Sequence, residues 1–228
     1  MLFRNRTEAG KILAHHLNAY ANHPNALVLG LPRGGVPVAF EIAQALNLPL
    51  DILVVRKLGV PGHDEFAMGA IASGGVRILD QNLIRRLSVS DAIIRQIVER
   101  EQHELKRRER IYRDQRPEPD IRNHIVILAD DGLATGSSMR AAIAALRPKH
   151  PSKIVVAVPV GERMTCAELT ALADEIICPE KPENFSAVGL WYSDFSQVTD
   201  KEVIDLLERS HSTHTAGKAH QTTNIDQE

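Results

Sequence analysis

The chain has 228 residues, which is enough for one α/β core with a small appendage. Its 27 lysine and arginine residues face 29 acidic ones, so no overall positive charge favours nucleic acid as a partner. No apolar run approaches the length that crosses a membrane, and residues 1–6 lack the apolar core of a signal peptide. Two cysteines, Cys166 and Cys178, are too few for a disulfide framework or an unaided zinc site, and we expect a cytoplasmic protein.

Strand-like and helix-like segments alternate along the chain, which predicts an open, mainly parallel, twisted sheet with helices on both faces. The predicted helices are 8–20 (with Thr7 as the N-cap), 36–46, 91–113, 139–146 and 162–173. The predicted strands are 26–30, 51–55, 66–72, 76–79, 124–129, 153–158 and 175–178. We expect one domain over residues 1–209, and the polar composition of residues 210–228 predicts a disordered tail.

The segment 127–138 (ILADDGLATGSS) joins a predicted strand to a predicted helix through two carboxylates and a loop of small residues. Small residues let successive backbone N–H groups face an anion, and the following helix adds the positive end of its dipole. Asp130 and Asp131 precede this loop, so we expect them to contact neutral hydroxyls or a metal ion rather than the phosphate. A sugar phosphate would satisfy both groups. An ordinary strand–turn–helix corner is the alternative, because Asp-Gly and Thr-Gly are common in turns.

Other predicted strands also end in loops with candidate binding residues, and ligands of open α/β sheets bind at such ends. The loop 30–37 (GLPRGGVP) matches neither the dinucleotide fingerprint nor the Walker loop. The next strand ends in Arg56 and Lys57, which are either solvated surface charges or counter-charges for a bound anion. The glycine-rich stretch 58–75 suits a mobile lid. Within it Glu65 is the candidate for proton transfer, against a solvated acid or one that contacts the metal.

Two further segments have competing interpretations. The predicted helix 91–113 ends in a basic run, 106–110, whose interleaved glutamates favour a solvated helix face over contact with nucleic acid. The segment 185–195 concentrates aromatic residues, including Trp191, Tyr192 and Phe195. These aromatic side chains form either part of the core or a platform on which a planar base stacks.

Taken together, these motifs resemble the type I phosphoribosyltransferases, in particular a branch of predicted phosphoribosyltransferases with LPRGGVPVA, RKLG-x-PG, DDG-x-ATG and WY-x-DF segments. The resemblance covers residues 3–208. The branch often has valine where Ala129 stands and Ala-Thr where Ser137 and Ser138 stand. Neither departure should abolish phosphate binding, because the hydroxyl is kept.

The resemblance implies a type I phosphoribosyltransferase fold, with a small hood from about residues 1–20 and 180–209 over the base. By position, Asp130 and Asp131 would hold the ribose hydroxyls of PRPP and contact Mg²⁺. The residues implied at the 5′-phosphate are Ala134, Thr135, Gly136, Ser137 and Ser138. Those implied at the diphosphate are Arg33, Gly34, Gly35, Arg56 and Lys57, and Trp191 is the candidate for stacking on the base.

The implied activity is Mg²⁺-dependent transfer of the 5-phosphoribosyl group from PRPP to a nitrogen acceptor, with a purine-like base expected and pyrophosphate released. The alternative is a regulatory PRPP sensor that binds the ligand without catalysis and controls RNA, DNA or a partner protein. Arg33, Arg56, Lys57 and the full-length lid favour the enzyme. A PRPP-synthesising or kinase-like enzyme is the weaker alternative, because no ATP loop is present. A homodimer is expected only by analogy with the fold.

Overall fold

The computed structural model describes residues 2–61, 63–114 and 116–223, with the side chains of 63–66 and 213–223 excepted. The strands in chain order are β1 (Ala26–Gly30), β2 (Leu50–Ile52), β3 (Val55–Val60), β4 (His63–Ala72), β5 (Val76–Leu79), β6 (Ile125–Ala129), β7 (Lys153–Ala157) and β8 (Glu175–Ile177). The α-helices are α1 (Arg6–His16), α2 (Gly35–Leu46), α3 (Gln81–Arg86), α4 (Asp91–Arg113), α5 (Ser137–Leu146), α6 (Arg163–Leu169) and α7 (Asp200–Thr223). Short 3₁₀ turns lie at Asn18–Tyr20, Ser73–Gly75, Arg147–Lys149 and Val188–Trp191.

A five-stranded parallel sheet in the order β2-β1-β6-β7-β8 forms the centre of the fold. Every residue of β1 is buried, as are four of the five residues of β6, because helices cover both faces. Helices α2 and α7 pack on one face, and α5 and α6 pack on the other, while α4 packs against β3, β4 and α7. The predicted fold class is confirmed, and the bounds of the five predicted helices differ from the observed ones by at most four residues.

A separate antiparallel sheet, in the order β3-β4-β5, occupies most of the stretch predicted to be a mobile lid. The prediction of one strand over 51–55 is wrong, since β2 ends at Ile52 and β3 starts a new sheet at Val55. Hydrogen bonds between Val54 and Ser73 fix the change of direction. The N–H of Ser73 donates to the carbonyl of Val54, and the N–H of Val54 donates to the hydroxyl of Ser73. Register shifts around Gly59 show that the ladder is irregular near its turn.

The N-terminal segment and residues 191–193 meet over the carboxyl edge of the central sheet. The N–H of Phe3 donates to the carbonyl of Trp191 (2.9 Å), and the N–H of Ser193 donates to the carbonyl of Phe3 (2.8 Å). Phe3 and Tyr192 share a small apolar cluster with Ala9 and Val160. This arrangement brings the two stretches implied to form a hood into contact.

Two local expectations differ from the structure. Helix α1 begins at Arg6 with Asn5 as its N-cap, rather than after Thr7, because the Asn5 side chain accepts the N–H of Glu8 (3.0 Å). The backbone of α7 is helical through Thr223, whereas composition predicts disorder from residue 210. Ser210 is buried, which ties at least the start of that stretch to the fold. The domain limits stay a prediction. Within the described residues, no helix has the length and apolar character needed to cross a membrane.

Candidate active site

Asp130 and Asp131 lie at the carboxyl end of β6, the middle strand of the central sheet. The N–H of Asp130 donates to the carbonyl of Ala157 (3.3 Å), and the N–H of Asp131 donates to Oδ1 of Asp130 (2.9 Å). Burial raises the pKa of both carboxyl groups, and the charge of Asp131 raises the pKa of Asp130 further, well above its ordinary range. Arg6 opposes the shift in pKa at Asp131, because its Nε lies 2.8 Å from Oδ2.

The loop that follows the acid pair encloses a cavity of about 170 Å³. Asp130 lines this cavity from one side, and Val188, from the 3₁₀ turn near the C-terminus, lines it from another. The loop supplies the remaining lining residues, which are Gly132, Leu133, Ala134, Thr135, Gly136, Ser137, Ser138 and Met139. The structure therefore places all five predicted phosphate-binding residues around one cavity beside a carboxylate.

The backbone of this loop has a row of unused hydrogen-bond donors. In the described part of the chain no acceptor bonds to the N–H groups of Ala134, Thr135, Gly136, Ser137 and Ser138. Gly136 has a φ of +69°, a left-handed conformation that glycine adopts without strain, and α5 begins at the next residue. The unused donors therefore coincide with the positive end of the α5 dipole, an arrangement that binds anions.

The glycine loop between β1 and α2 packs directly against the acid pair. A Cβ added at Gly34 would lie 2.8 Å from Cγ of Asp131 and closer still to Oδ2. At Gly35 the added atom would lie 2.7 Å from the carbonyl oxygen of Ala129. Two glycines are needed here because any side chain would separate the loop from the end of β6.

Only part of the glycine loop has backbone N–H groups that are available to a diphosphate within the described residues. The N–H of Gly35 donates to the carbonyl of Leu31 (3.0 Å), so it is engaged within the loop. Among the residues that the structure covers, no acceptor bonds to the N–H of Arg33 or of Gly34. Arg33 extends toward α7, where its Nη1 lies 3.8 Å from Oδ1 of Asp200.

The two cations of β3 point in opposite directions, as neighbouring residues of a strand do. Arg56 faces α4, where its Nε and Nη2 donate to Oε2 of Glu101 at 2.8 and 2.5 Å. Lys57 is exposed on the other face of the strand. The structure therefore supports a role at the diphosphate more strongly for Lys57 than for Arg56. Lys57 is available, whereas Arg56 would have to leave Glu101, and the role of Arg56 stays a prediction.

The aromatic segment contributes to the site mainly through Tyr192. Its hydroxyl donates to the carbonyl of Asp131 (2.5 Å), and its buried ring packs 5.5 Å from that of Phe3. Trp191 is half-buried beside this cluster, and its role as a platform for a base stays a prediction. The side chain of Glu65 lies outside the described residues, so its role in proton transfer also stays a prediction.

Sequence reasoning missed two residues that the structure places at the site. Arg6, the first residue of α1, reaches Asp131 from a distant part of the chain. Val188 packs on Gly132 so closely that a Cβ added there would lie 2.8 Å from Cγ2 of the valine. Neither residue belongs to a recognisable motif, and only the chain's tertiary course brings them to β6.

Features outside this site carry less of the predicted chemistry. A larger cavity of about 470 Å³ lies between α4 and the second sheet, and it contains none of the predicted site residues. On α4, Arg107 and Arg108 donate to Glu104 at 2.7 and 2.8 Å, which lowers the pKa of Glu104 to about 2. These ion pairs within the helix agree with a solvated helix face.

An open parallel sheet whose middle strand ends in two carboxylates and an anion-binding loop defines an α/β protein that binds its ligand at the carboxyl ends of its strands. The family model of the phosphoribosyl transferase domain matches residues 64–194, which include the acid pair and the loop after it. Because this match covers more than half of the chain, the chain belongs to that family and carries a phosphoribosyltransferase domain. The glycine loop with Arg33 lies before the matched residues.

Similar proteins support this assignment. TT1426 from Thermus thermophilus has a solved structure that superposes with a TM-score of 0.79 at 40% sequence identity, over 91% of this chain and 98% of that one. A Mycobacterium tuberculosis protein, Rv0571c, provisionally named a phosphoribosyl transferase, is 44% identical over 211 residues, 92% of this chain. This chain spans 47% of that relative, about half its length. The AQ2163 protein from Aquifex aeolicus, at 12% identity and a TM-score of 0.51 over 89% of this chain and 84% of its own, shares the fold.

Proposed function

We propose that this chain is a Mg²⁺-dependent enzyme that transfers the 5-phosphoribosyl group of PRPP to a nitrogen acceptor, with a purine-like base as the expected class. The observation that carries the proposal is the row of five N–H groups at residues 134–138 that no acceptor in the described residues uses, directly beside Asp130 and Asp131. Amide donors at a helix start suit a phosphate, and neighbouring carboxylates suit hydroxyls. A ribose 5-phosphate carries its phosphate and its hydroxyls a few ångströms apart.

The acid pair retains the acceptor atoms that a ribose needs. Oδ1 of Asp130 accepts the N–H of Asp131, and Oδ2 of Asp131 accepts Nε of Arg6. No side chain in the described residues donates to Oδ2 of Asp130 or to Oδ1 of Asp131. We assign these two oxygens to the 2′ and 3′ hydroxyls of the ribose, with the 5′-phosphate in the adjoining loop.

The glycine loop and its cation serve the diphosphate in this proposal. The N–H groups of Arg33 and Gly34 are unused within the described residues, and Gly34 lies against Asp131. A diphosphate attached to the ribose C1 would therefore meet these amides and the Arg33 side chain. Lys57, exposed on β3, is the second cation assigned to it.

The donor set fits Mg²⁺, which prefers a few carboxylate oxygens and takes its remaining ligands from water and substrate phosphates. Asp130 and Asp131 would hold the ion, and within the described residues no cluster of three or more acidic, histidine or cysteine side chains forms a separate cage. When bound, Mg²⁺ would neutralise charge on the departing diphosphate.

The reaction needs a site that holds the sugar still while charge moves. As the bond from C1 to the diphosphate breaks, positive charge builds on the ribose, much as in glycoside hydrolysis. Asp130 and Asp131 would fix the ring through its hydroxyls and place negative charge nearby. Arg33 and the loop amides would stabilise the leaving diphosphate, and the N-terminal segment packed against residues 191–193 would limit access of water.

The test is release of pyrophosphate from PRPP with Mg²⁺, measured against a panel of purines, pyrimidines and other nitrogen nucleophiles. Release that depends on one acceptor would establish the transferase and name its substrate. Asp131→Asn should reduce turnover by roughly 100-fold or more while the circular dichroism spectrum stays unchanged. The matched control is Asp120→Asn, an exposed aspartate whose side chain bonds, among the residues that the structure describes, to the N–H of Arg122 alone.

The outcomes separate the competing functions. Full turnover by Asp131→Asn would show that this residue does not hold the ribose. If calorimetry shows PRPP binding but no acceptor releases pyrophosphate, the protein is a PRPP sensor rather than a transferase. If PRPP does not bind at all, the assignment of the loop 134–138 to the 5′-phosphate is wrong.

A further inference from the structure

Arg6 joins three separate parts of the chain at the acid pair. It is the first residue of α1, and its Nε donates to Oδ2 of Asp131 at 2.8 Å. Its Nη1 donates to the backbone carbonyl of Ser196 at 2.9 Å. The guanidinium carbon lies 3.9 Å from the centre of the Phe195 ring. One side chain thus connects the N-terminal segment, the end of β6 and the aromatic segment.

The burial of this contact separates it from the ordinary ion pairs of the surface. The side chain of Arg6 is 11% exposed and that of Asp131 is 15% exposed, whereas Arg4, two residues earlier, is 81% exposed and forms an ion pair with Glu8. Exposed ion pairs contribute little to stability, but a partly buried carboxylate that loses its partner is left poorly solvated. Arg6 therefore has a strong influence on where the Asp131 carboxylate lies.

The geometry also leaves Asp131 free for a second contact. Arg6 and the backbone of Gly34 both lie on the Oδ2 side of the carboxylate. Tyr192 holds the backbone of the same residue through its hydroxyl, 2.5 Å from the carbonyl oxygen. With Oδ2 bonded and the main chain held, the orientation of the carboxylate is set, and no side chain of the described residues donates a hydrogen bond to Oδ1.

We propose that Arg6 is the positioning residue of the ribose site, which orients the free oxygen of Asp131 toward the sugar and fastens residues 192–196 beside it. This inference rests on the proposed function, since the sugar is the ribose of PRPP. It adds that the N-terminal segment and the aromatic segment complete the site together, through one guanidinium. Arg6 acts through Asp131 and does not itself touch the reacting atoms.

The chemistry requires a guanidinium and not only a positive charge. Its planar fork donates in two fixed directions while its face lies against an aromatic ring. A lysine ammonium has no planar face and fewer fixed directions, so it satisfies Asp131 or the Ser196 carbonyl but does not also stack on Phe195. Arg6→Lys is therefore expected to keep the fold and to lose the positioning.

The experiment compares the full chain with Arg6→Ala, Arg6→Lys and the matched control Arg4→Ala. PRPP affinity is measured by calorimetry, and the KM for PRPP is measured by pyrophosphate release. Displacement of the Asp131 carboxylate by about 1 Å should weaken PRPP binding by roughly 100-fold in Arg6→Ala. The loss in Arg6→Lys should exceed roughly tenfold, and Arg4→Ala should stay within about twofold of the wild type. Millimolar guanidinium chloride should restore PRPP binding in Arg6→Ala and have no such effect in Arg6→Lys.

Trp191 provides a readout that does not depend on PRPP. It is the only tryptophan of the chain and lies beside Tyr192, so its emission reports whether the aromatic segment is docked. We expect a red shift of the emission in both Arg6 variants and none in Arg4→Ala. Wild-type affinity for PRPP in either Arg6 variant would overturn the inference. If Arg6→Ala does not fold, Arg6→Lys decides.

Failure of the proposed function gives a different pattern of results. If the wild type does not bind PRPP, the proposed function fails while the emission of Trp191 still tests whether Arg6 docks the aromatic segment. Unchanged emission in the Arg6 variants would then overturn the docking as well.

Discussion

Replacing Gly34 with alanine tests whether the glycine loop and the acid pair form one rigid site. Gly34 has φ −60° and ψ −32°, a helical conformation that alanine adopts without strain. At such a position alanine normally stabilises a protein by about 0.4–1 kcal/mol, because the unfolded chain loses freedom. The three atoms nearest to the added Cβ all belong to Asp131, with Cγ at 2.8 Å and Oδ2 closer, whereas real Cβ atoms essentially never lie under 3.0 Å.

The expected magnitude follows from that overlap. The Asp131 carboxylate, held by Arg6 on the same side, or the loop itself must move by roughly 1 Å. Overpacking of this kind costs about 1–3 kcal/mol of unfolding free energy, and a 1 Å misplacement of a binding group costs roughly 100-fold in activity. Gly34→Ala should therefore be less stable than the wild type, although alanine suits the backbone.

A double-mutant cycle with Asp131→Ala isolates the overlap from every other effect of the methyl group. In the Asp131→Ala background the clashing atoms are absent, so Gly34→Ala should become neutral or stabilising by about 0.4–1 kcal/mol. The assay is urea unfolding of the four proteins, together with PRPP binding by wild type and Gly34→Ala. Additive free energies, or wild-type PRPP affinity in Gly34→Ala, would refute the close packing of loop and acid pair.

Three further predictions follow from the same contacts. Lys57→Ala should raise the KM for PRPP with little change in melting temperature, whereas Arg56→Ala should mainly lower the melting temperature, because Arg56 pairs with the buried carboxylate of Glu101. An equal rise of KM in both variants, measured by pyrophosphate release, would show that Arg56 leaves Glu101 to meet the diphosphate. Tyr192→Phe removes the 2.5 Å hydrogen bond to the Asp131 carbonyl and should lower the unfolding free energy by about 0.5–1.5 kcal/mol in urea. Burial and Asp131 raise the pKa of Tyr192, so its neutral form stabilises the fold below about pH 10, and this contribution is lost as pH rises beyond that value. When the pH is raised from about 9 to about 11, the unfolding free energy of Tyr192→Phe should therefore fall less than that of the wild type. Equal decreases in the two proteins would contradict a buried phenol at Asp131.

Local sequence determined the elements of this protein and the chemistry of its central loop. The buried strands are short apolar runs, so their position needs only the hydrophobic pattern, and α4 occupies the predicted residues 91–113. The segment 127–138 also shows its function locally, because a strand, two acids, small residues and a helix start lie within a few residues of each other. A binding site made of successive backbone N–H groups can be predicted from a short run of sequence, because its donors belong to consecutive residues.

The tertiary structure decided which distant side chains complete the site. Arg6 and Tyr192 reach Asp131 from parts of the chain more than 60 residues away in sequence, and no local pattern marks either contact. The partner of Arg56 likewise depends on how α4 packs against β3. Adjacency in sequence predicted a shared role for Arg56 and Lys57, but it did not show that Arg56 is paired with Glu101. The sequence of this protein by itself thus determined where a segment binds a ligand through its own backbone, because those contacts are local. Contacts between side chains far apart along the chain depend on the packing of whole elements, and for that reason only the folded structure shows them.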